Sequence, residues 1–160
     1  MNVDTVTAQE ARLPFAAHPG DAGHDLFAAS PVTIPAGRTV LVPTGVSIAL
    51  PDGYVAMVCS RSGLALKSQV VVANAPGIVD AGYRGEVGVI LHNQSDTTFT
   101  VNTGDKIAQL VVTPYVRVQF NPVDTLDDTV RGQRGFGSSD VSDPTVSDQS
   151  AAAALLAGAN

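Results

Sequence analysis

The chain has no tryptophan, a single cysteine, and only 5% aromatic residues among its 160. One thiol, Cys59, excludes an internal disulfide, and no cysteine or histidine cluster has the spacing of a zinc site. A reducing, cytoplasmic setting is therefore expected. No apolar run reaches bilayer-spanning length, and Met1 to Pro14 lack the basic start and apolar stretch of a signal peptide, so a soluble protein with no membrane partner is expected. Positive charge is also scarce: 9 Lys+Arg against 15 Asp+Glu leave a net charge of −6. That balance argues against polymeric nucleic acid as a partner, although a few placed arginines can still hold a small polyanion in a pocket. No Gly-x-x-x-x-Gly-Lys-Ser/Thr or Gly-x-Gly-x-x-Gly follows a strand-like run, which removes P-loop and dinucleotide readings.

What the chain does have is short β-branched runs. They recur at Val32–Ile34, Thr39–Val42, Val46–Leu50, Tyr54–Val58, Val70–Ala73, Val87–Leu91, Phe99–Val101, Ile107–Thr113 and Val116–Phe120. Between them lie turn sequences such as Pro35-Ala36-Gly37, Pro51-Asp52-Gly53 and Asn102-Thr103-Gly104. Many short strands joined by tight turns predict an all-β sandwich or barrel. Gly63 to Gln69 alone suggests a brief helix. The length suffices to bury a core without disulfide or structural metal. Beyond Pro122 the chain turns polar, so a catalytic domain over 1–122 and a flexible arm over 123–160 are expected. No function is assigned to Ala151–Asn160.

Five segments concentrate chemistry. Gly77 to Glu86 sets Asp80, Tyr83 and Arg84 among three glycines, the composition of a tight turn that presents side chains rather than of a strand. Arg61-Ser62-Gly63 precedes the expected helix, where amides and a hydroxyl can face an anion. Asp21 to Leu26 holds two carboxylates with too few companions for an all-protein metal cage, and taken alone it reads as an Asx-type turn. In Gly104 to Leu110, Asp105 and Lys106 read as solvent-facing turn residues, whereas the Gln109 amide sits in an apolar strand and needs a partner. Arg131 to Ser139 gathers phosphate-binding groups in an otherwise bland arm. His18, His24 and His92 show no ligand or triad spacing and read as surface or packing residues.

Taken in order, Asp21–Leu26, Arg61–Ala65, Asn74–Glu86, Gly104–Val111 and Arg131–Ser139 resemble the motifs of the trimeric dUTPase family. The resemblance implies a β jelly-roll homotrimer with active sites at subunit interfaces and a C-terminal arm that closes over a neighbour's site. It implies magnesium-assisted hydrolysis of dUTP to dUMP and diphosphate, which removes dUTP and supplies dUMP for dTMP synthesis. On this resemblance Asp80 matches the water-activating carboxylate, with Gln109 near the α-phosphate and Ser62 as further catalytic groups. Tyr83 matches the tyrosine that packs on deoxyribose and leaves no room for a 2′-hydroxyl. Asn74 matches the uracil-edge contact, aided by the Gly77, Ile78 and Val79 backbone and by Gly88. Arg61, Ser62 and Gly63 match the phosphate cradle, and Asp25 the acid that holds magnesium through water. In the arm, Arg131 would clamp the γ-phosphate, Phe136 stack on uracil, and Gly137, Ser138 and Ser139 contact phosphates.

Four positions depart from the family pattern. Ser60 stands where proline is usual, Val79 where isoleucine is commoner, and Arg134 and Asp140 where the arm has glycines. None removes a catalytic group. Two alternatives remain: a dUTP-gated regulatory protein of the same fold, and dCTP deaminase, which would replace the Asp80–Tyr83 turn and require a catalytic glutamate.

Overall fold

Eleven strands and one short helix follow one another in the computed structural model, which describes residues 1–135. The chain divides into two units, Met1–Val118 and a second beginning at Gln119. The strands are β1 (Asp4–Thr7), β2 (Gly23–Phe27), β3 (Val32–Ile34), β4 (Thr39–Val42), β5 (Val46–Ala49), β6 (Tyr54–Cys59), β7 (Val70–Val72), β8 (Gly77–Val79), β9 (Val89–Asn93), β10 (Phe99–Val101) and β11 (Lys106–Pro114), with helix α1 (Ser62–Ser68) between β6 and β7. They pair antiparallel in four small sheets, ordered β1-β5, β10-β3, β2-β11-β6-β8 and β4-β9-β7. The all-β expectation holds.

Alternation decides which residues fill the interior. In β9, Val89, Leu91 and Asn93 point inward while Ile90 and His92 face out, the period of two that a half-buried strand requires. The resulting core is aliphatic, with Leu26, Ile34, Val42, Val46, Val70, Val89, Leu91 and Val101 fully shielded. This accounts for how so few aromatics suffice. β11 breaks the alternation: its pairing with β2 shifts register between Lys106 and Ala108, and Ile107 and Ala108 are both buried. A bulge of this kind moves every later side chain to the opposite face. As a consequence Ala108 and Leu110 enter the core and Gln109 does not.

Three expectations are corrected. Gly77–Val79, read as part of a turn, is strand β8 paired to β6 through Met57↔Ile78. Asp21–Leu26, read alone as an Asx-type turn, runs into strand β2 (Gly23–Phe27), and only Asp21 makes a local turn contact, its Oδ2 accepting the His18 N–H at 2.9 Å. Val116–Phe120 forms no strand, and the three of its residues that are apolar are exposed: Val116, Val118 and Phe120. The helix begins at Ser62, one residue before the expected start.

One buried polar group organises the far end of the core. Asn93 is fully buried; its Nδ2 donates to the carbonyls of Ile34 (3.0 Å) and Thr97 (2.7 Å), and its Oδ1 accepts from Ser95 N–H and Oγ at 3.0 and 2.7 Å. Its main-chain N–H donates to Arg38 O, and its carbonyl accepts from Gly37 N–H. Truncation to Asn93→Ala removes the four side-chain bonds, orphaning the buried Ile34 carbonyl at about 1–3 kcal/mol and opening a cavity beneath the more exposed Ser95 and Thr97. We expect unfolding free energy to fall by about 3 kcal/mol in urea denaturation at fixed protein concentration. A loss under about 1 kcal/mol would mean that the cavity rehydrates and the hub is dispensable.

Candidate active site

Three strands of the β2-β11-β6-β8 sheet carry a segment singled out from the sequence, and the fourth, β6, leads into Arg61-Ser62-Gly63. Gln109 of β11 lies opposite Asp25 on one side and Cys59 on the other. The next residues of the β6 limb, Ser60 and Arg61, thus come beside the same row. Gln109 Nε2 donates to Ser60 O at 2.9 Å, the partner its amide requires. Its Oε1 lies where a side chain on Gly23 would start: a Cβ there would fall 2.3 Å from it. Glycine at position 23 is what lets β11 place this amide against β2.

Asp25 is the electrostatic centre of the cluster. Its Oδ1 meets Arg61 Nε at 2.9 Å and its Oδ2 meets Lys106 Nζ at 2.7 Å. Arg61 Nη1 also donates to Lys106 O at 3.0 Å, so the guanidinium is fixed at two of its nitrogens. Lys106 is therefore not the free turn residue expected from the sequence, and Asp105 accepts the Asn102 N–H at 2.8 Å. The bulge leaves Lys106 on the cleft, a position that linear alternation could not reveal. Arg61 caps α1 with extended backbone and no side-chain hydrogen bond to the first turn, so the amides that follow Ser62 are open to a ligand. Asp25, Arg61, Ser62, Gly63, Lys106 and Gln109 line one cleft of about 390 Å³. Ser60 ties the segment before Arg61 to β7, its Oγ accepting the Val72 N–H at 2.8 Å, a role open to serine and not to proline.

Asp80 and Tyr83 line a different cleft, with Ile78, Val79 and Gly88. Asp80 follows β8, and the Tyr83 N–H closes the turn on Asp80 O at 3.1 Å. Tyr83 is 46% exposed and its hydroxyl donates to Glu86 O at 2.9 Å. Arg84 folds back on its own turn, Nη1 donating to Ala81 O and Tyr83 O at 2.6 and 2.8 Å. Asn74 is exposed at the start of the segment, packed on the Cα of buried Gly77. Since Val79 pairs with Ala56, Asp80 comes level with Val55, on the far side of the sheet from Arg61. At roughly 3.3 Å per residue and 4.8 Å per strand, Asp80 is on the order of 15–20 Å from the cradle groups.

In the second unit Arg131 and Arg134 form a closed turn. Arg131 Nε donates to Arg134 O, Arg134 Nε donates to Arg131 O, both at 3.1 Å, and Arg134 Nη2 reaches Val130 O. Phe136, Gly137, Ser138, Ser139 and Asp140 lie outside the described residues.

A metal would find no protein cage: among the described residues no three His, Cys, Asp or Glu side chains gather at one point. Both Asp25 oxygens already accept a cationic donor. A carboxylate offers about four lone-pair sites, so two remain, enough for a metal-bound water. The residues fit a magnesium carried on a ligand's phosphates with Asp25 in its outer sphere.

The model of the dUTPase family matches residues 9–140. A deoxyuridine 5'-triphosphate nucleotidohydrolase of Leifsonia xyli subsp. xyli is 57% identical over 129 residues, 80% of this chain and 85% of that protein. Its counterpart in Crocosphaera subtropica is 49% identical over 133 residues, 83% and 94% of the two chains. Among solved structures, the Staphylococcus bacteriophage 80alpha dUTPase with dUPNHPP superposes with a TM-score of 0.80 at 28% identity, covering 86% of this chain and 98% of that one. A dUTPase from phage phi11 of S. aureus, described with a structural Mg(II) ion, gives 0.74 at 27% identity, covering 80% and 100%. With the family's model matched over residues 9–140 and a relative 57% identical over 80% of its length, the chain belongs to the dUTPase family.

Proposed function

We propose that this chain hydrolyses dUTP to dUMP and diphosphate at a site assembled from different copies of itself in a homotrimer. One observation carries the reading: the chain holds two half-sites, each lacking what the other has. The cradle has Arg61, Lys106 and open amides, but of its two carboxylates Asp25 already pairs with those cations through both oxygens and Asp21 holds the His18 N–H. The turn has the exposed carboxylate of Asp80, but its cation, Arg84, is spent on its own backbone. Groups that act on one phosphorus must come within hydrogen-bond reach of it, which a separation of about 15–20 Å in one chain forbids.

Arg61, Ser62 and the Gly63 amide of one subunit hold the phosphates, with Gln109 beside the α-phosphate. Asp80 of another subunit accepts a hydrogen bond from water. The water oxygen bonds to the α-phosphorus, the bond from that phosphorus to the α–β bridging oxygen breaks, and diphosphate departs while the water proton passes to Asp80. Tyr83 packs on the deoxyribose where a 2′-hydroxyl would clash, and Asn74 with the 77–79 backbone reads the uracil edge. Asp25 would hold a magnesium through water, and the ion when bound would help neutralise the leaving charge. Arg131 adds a γ-phosphate contact, with Phe136, Gly137, Ser138 and Ser139 completing the arm's part.

Diphosphate release from dUTP, dCTP, dTTP and UTP tests the reaction. We expect dUTP alone to turn over, and Asp80→Asn to lower kcat by about 100-fold or more while a non-hydrolysable analogue still binds. Unchanged turnover in that variant refutes the role of Asp80.

Subunit sharing has its own test. Asp80→Asn and Arg61→Ala should each be inactive alone, whereas co-refolded in equal amounts they should regain roughly a quarter of wild-type activity, since random mixing leaves one interface in four intact. No regain would place both groups in a single-chain site.

Deleting the residues after Asp128 should lower kcat/KM at least about tenfold with little change in melting temperature. A truncated chain that fails to fold would make the arm structural.

A further inference from the structure

The return limb of the Asp80–Gly85 turn is tied to the body of the fold by a backbone bridge, Ser47↔Glu86, and by one side chain that no role above uses. Glu86 Oε1 accepts the backbone N–H groups of Thr44 and Gly45 at 2.8 and 2.7 Å. Gly45, at φ +67°, aims its N–H alongside that of its neighbour, so that two successive amides converge on one oxygen. No larger residue fits there: a Cβ on Gly45 would lie 2.6 Å from that of Ala11. Thr44 itself is fully buried; its hydroxyl donates to Val87 O at 2.8 Å and accepts Val46 N–H at 3.2 Å, while Val87 N–H donates to Val46 O at 2.8 Å. The exposed Glu86 carboxylate is thus seated on a backbone that the buried Thr44 fixes to the core.

The same residue also aims the aromatic ring. Glu86 O accepts the Tyr83 hydroxyl at 2.9 Å, and the Tyr83 ring lies against Gly85, where a Cβ would come within 2.4 Å of the hydroxyl oxygen. The outgoing limb is fixed by pairing of β8 with β6, so the six residues from Asp80 to Gly85 are held between that ladder and Glu86. We propose that Glu86 is a positioning residue for the reaction: by seating its carboxylate on the Thr44–Gly45 amides it fixes the carbonyl that orients Tyr83, and with it the discrimination against a 2′-hydroxyl. The proposal rests on the reading of Asp80 and Tyr83 given above. A misplacement of about 1 Å in such a constellation is enough to cost large factors in rate.

The experiment measures kcat and KM for dUTP and UTP in Glu86→Ala, Glu86→Gln and Glu86→Asp, with melting temperatures for each. Glutamine keeps an acceptor at Oε1 and aspartate keeps the charge one methylene short of the amides. In Glu86→Ala and Glu86→Asp the dUTP/UTP ratio of kcat/KM should fall roughly tenfold, and Glu86→Gln should restore most of it. A lowered melting temperature with an unchanged ratio in Glu86→Ala would make the contact merely structural and overturn the proposal. Should Glu86→Ala not fold, the same ratio in Glu86→Asp, Glu86→Gln and wild type would overturn it equally. Wild-type dUTP turnover and its loss in Asp80→Asn judge the underlying reading separately, so the two failures are distinguishable.

Discussion

The antiparallel pairing of β11 with β2 on one side and β6 on the other is the constraint from which the cradle follows. Because Gln109 faces both Asp25 and Cys59, three segments distant in sequence meet in one row. The bulge after Lys106 is as important as the register. Without it, Gln109 would share the inward face of Ile107 and its amide would enter an aliphatic core, a costly place for two donors and an acceptor. With it, the strand delivers two apolar residues inward in succession and then turns the amide to the cleft. Backbone geometry, more than any side-chain preference, thus sets the chemistry of this row.

Charge balance in the cradle follows from that placement. Arg61 and Lys106 would repel each other at close range without an intervening carboxylate. Asp25, with its side chain only 14% exposed, meets both. With Asp21 also lining the cleft, two cations face two carboxylates in a chain whose overall charge is −6, so the placement of each group and not net charge governs what this cleft attracts. Fixing Arg61 before any ligand arrives also removes rotamer entropy that binding would otherwise have to cover.

Much of this was legible in the sequence, and the parts that were not share a cause. Runs rich in valine and isoleucine announced β3 to β7 and β9 to β11, because such side chains fit a pleated, half-buried surface. β2 and β8 were hidden because they carry site residues: Asp25 and His24 interrupt one apolar pattern, and Gly77 begins the other. Conversely Val116–Phe120 looks like a strand but finds no partner strand, and propensity without pairing makes none. The five site segments were recognisable by residue type and order. The grouping of the first four into two separate clefts was not, since it depends on the register of β8 against β6. The partner of Lys106 and the anchorage of Glu86 stayed invisible for the same reason: each joins positions that only tertiary pairing brings together.

On the proposed reading, division of the site between copies has a physical advantage that the two clefts make plain. Among the described residues no cation stands within ion-pair distance of Asp80. Had the fold placed Arg61 or Lys106 beside Asp80 in the same chain, the pair would satisfy itself, and a carboxylate committed to a salt bridge is a poor acceptor for a water proton. Keeping base and cations at opposite ends of one sheet lets each be pre-organised by its own surroundings: Asp25 for the cations, the Glu86-anchored turn for the base. On the proposed reading, a nucleotide with a triphosphate at one end and a sugar and base at the other bridges the two. Its negative charge then stands between groups that would otherwise neutralise each other, and the catalytic arrangement is completed by the substrate itself.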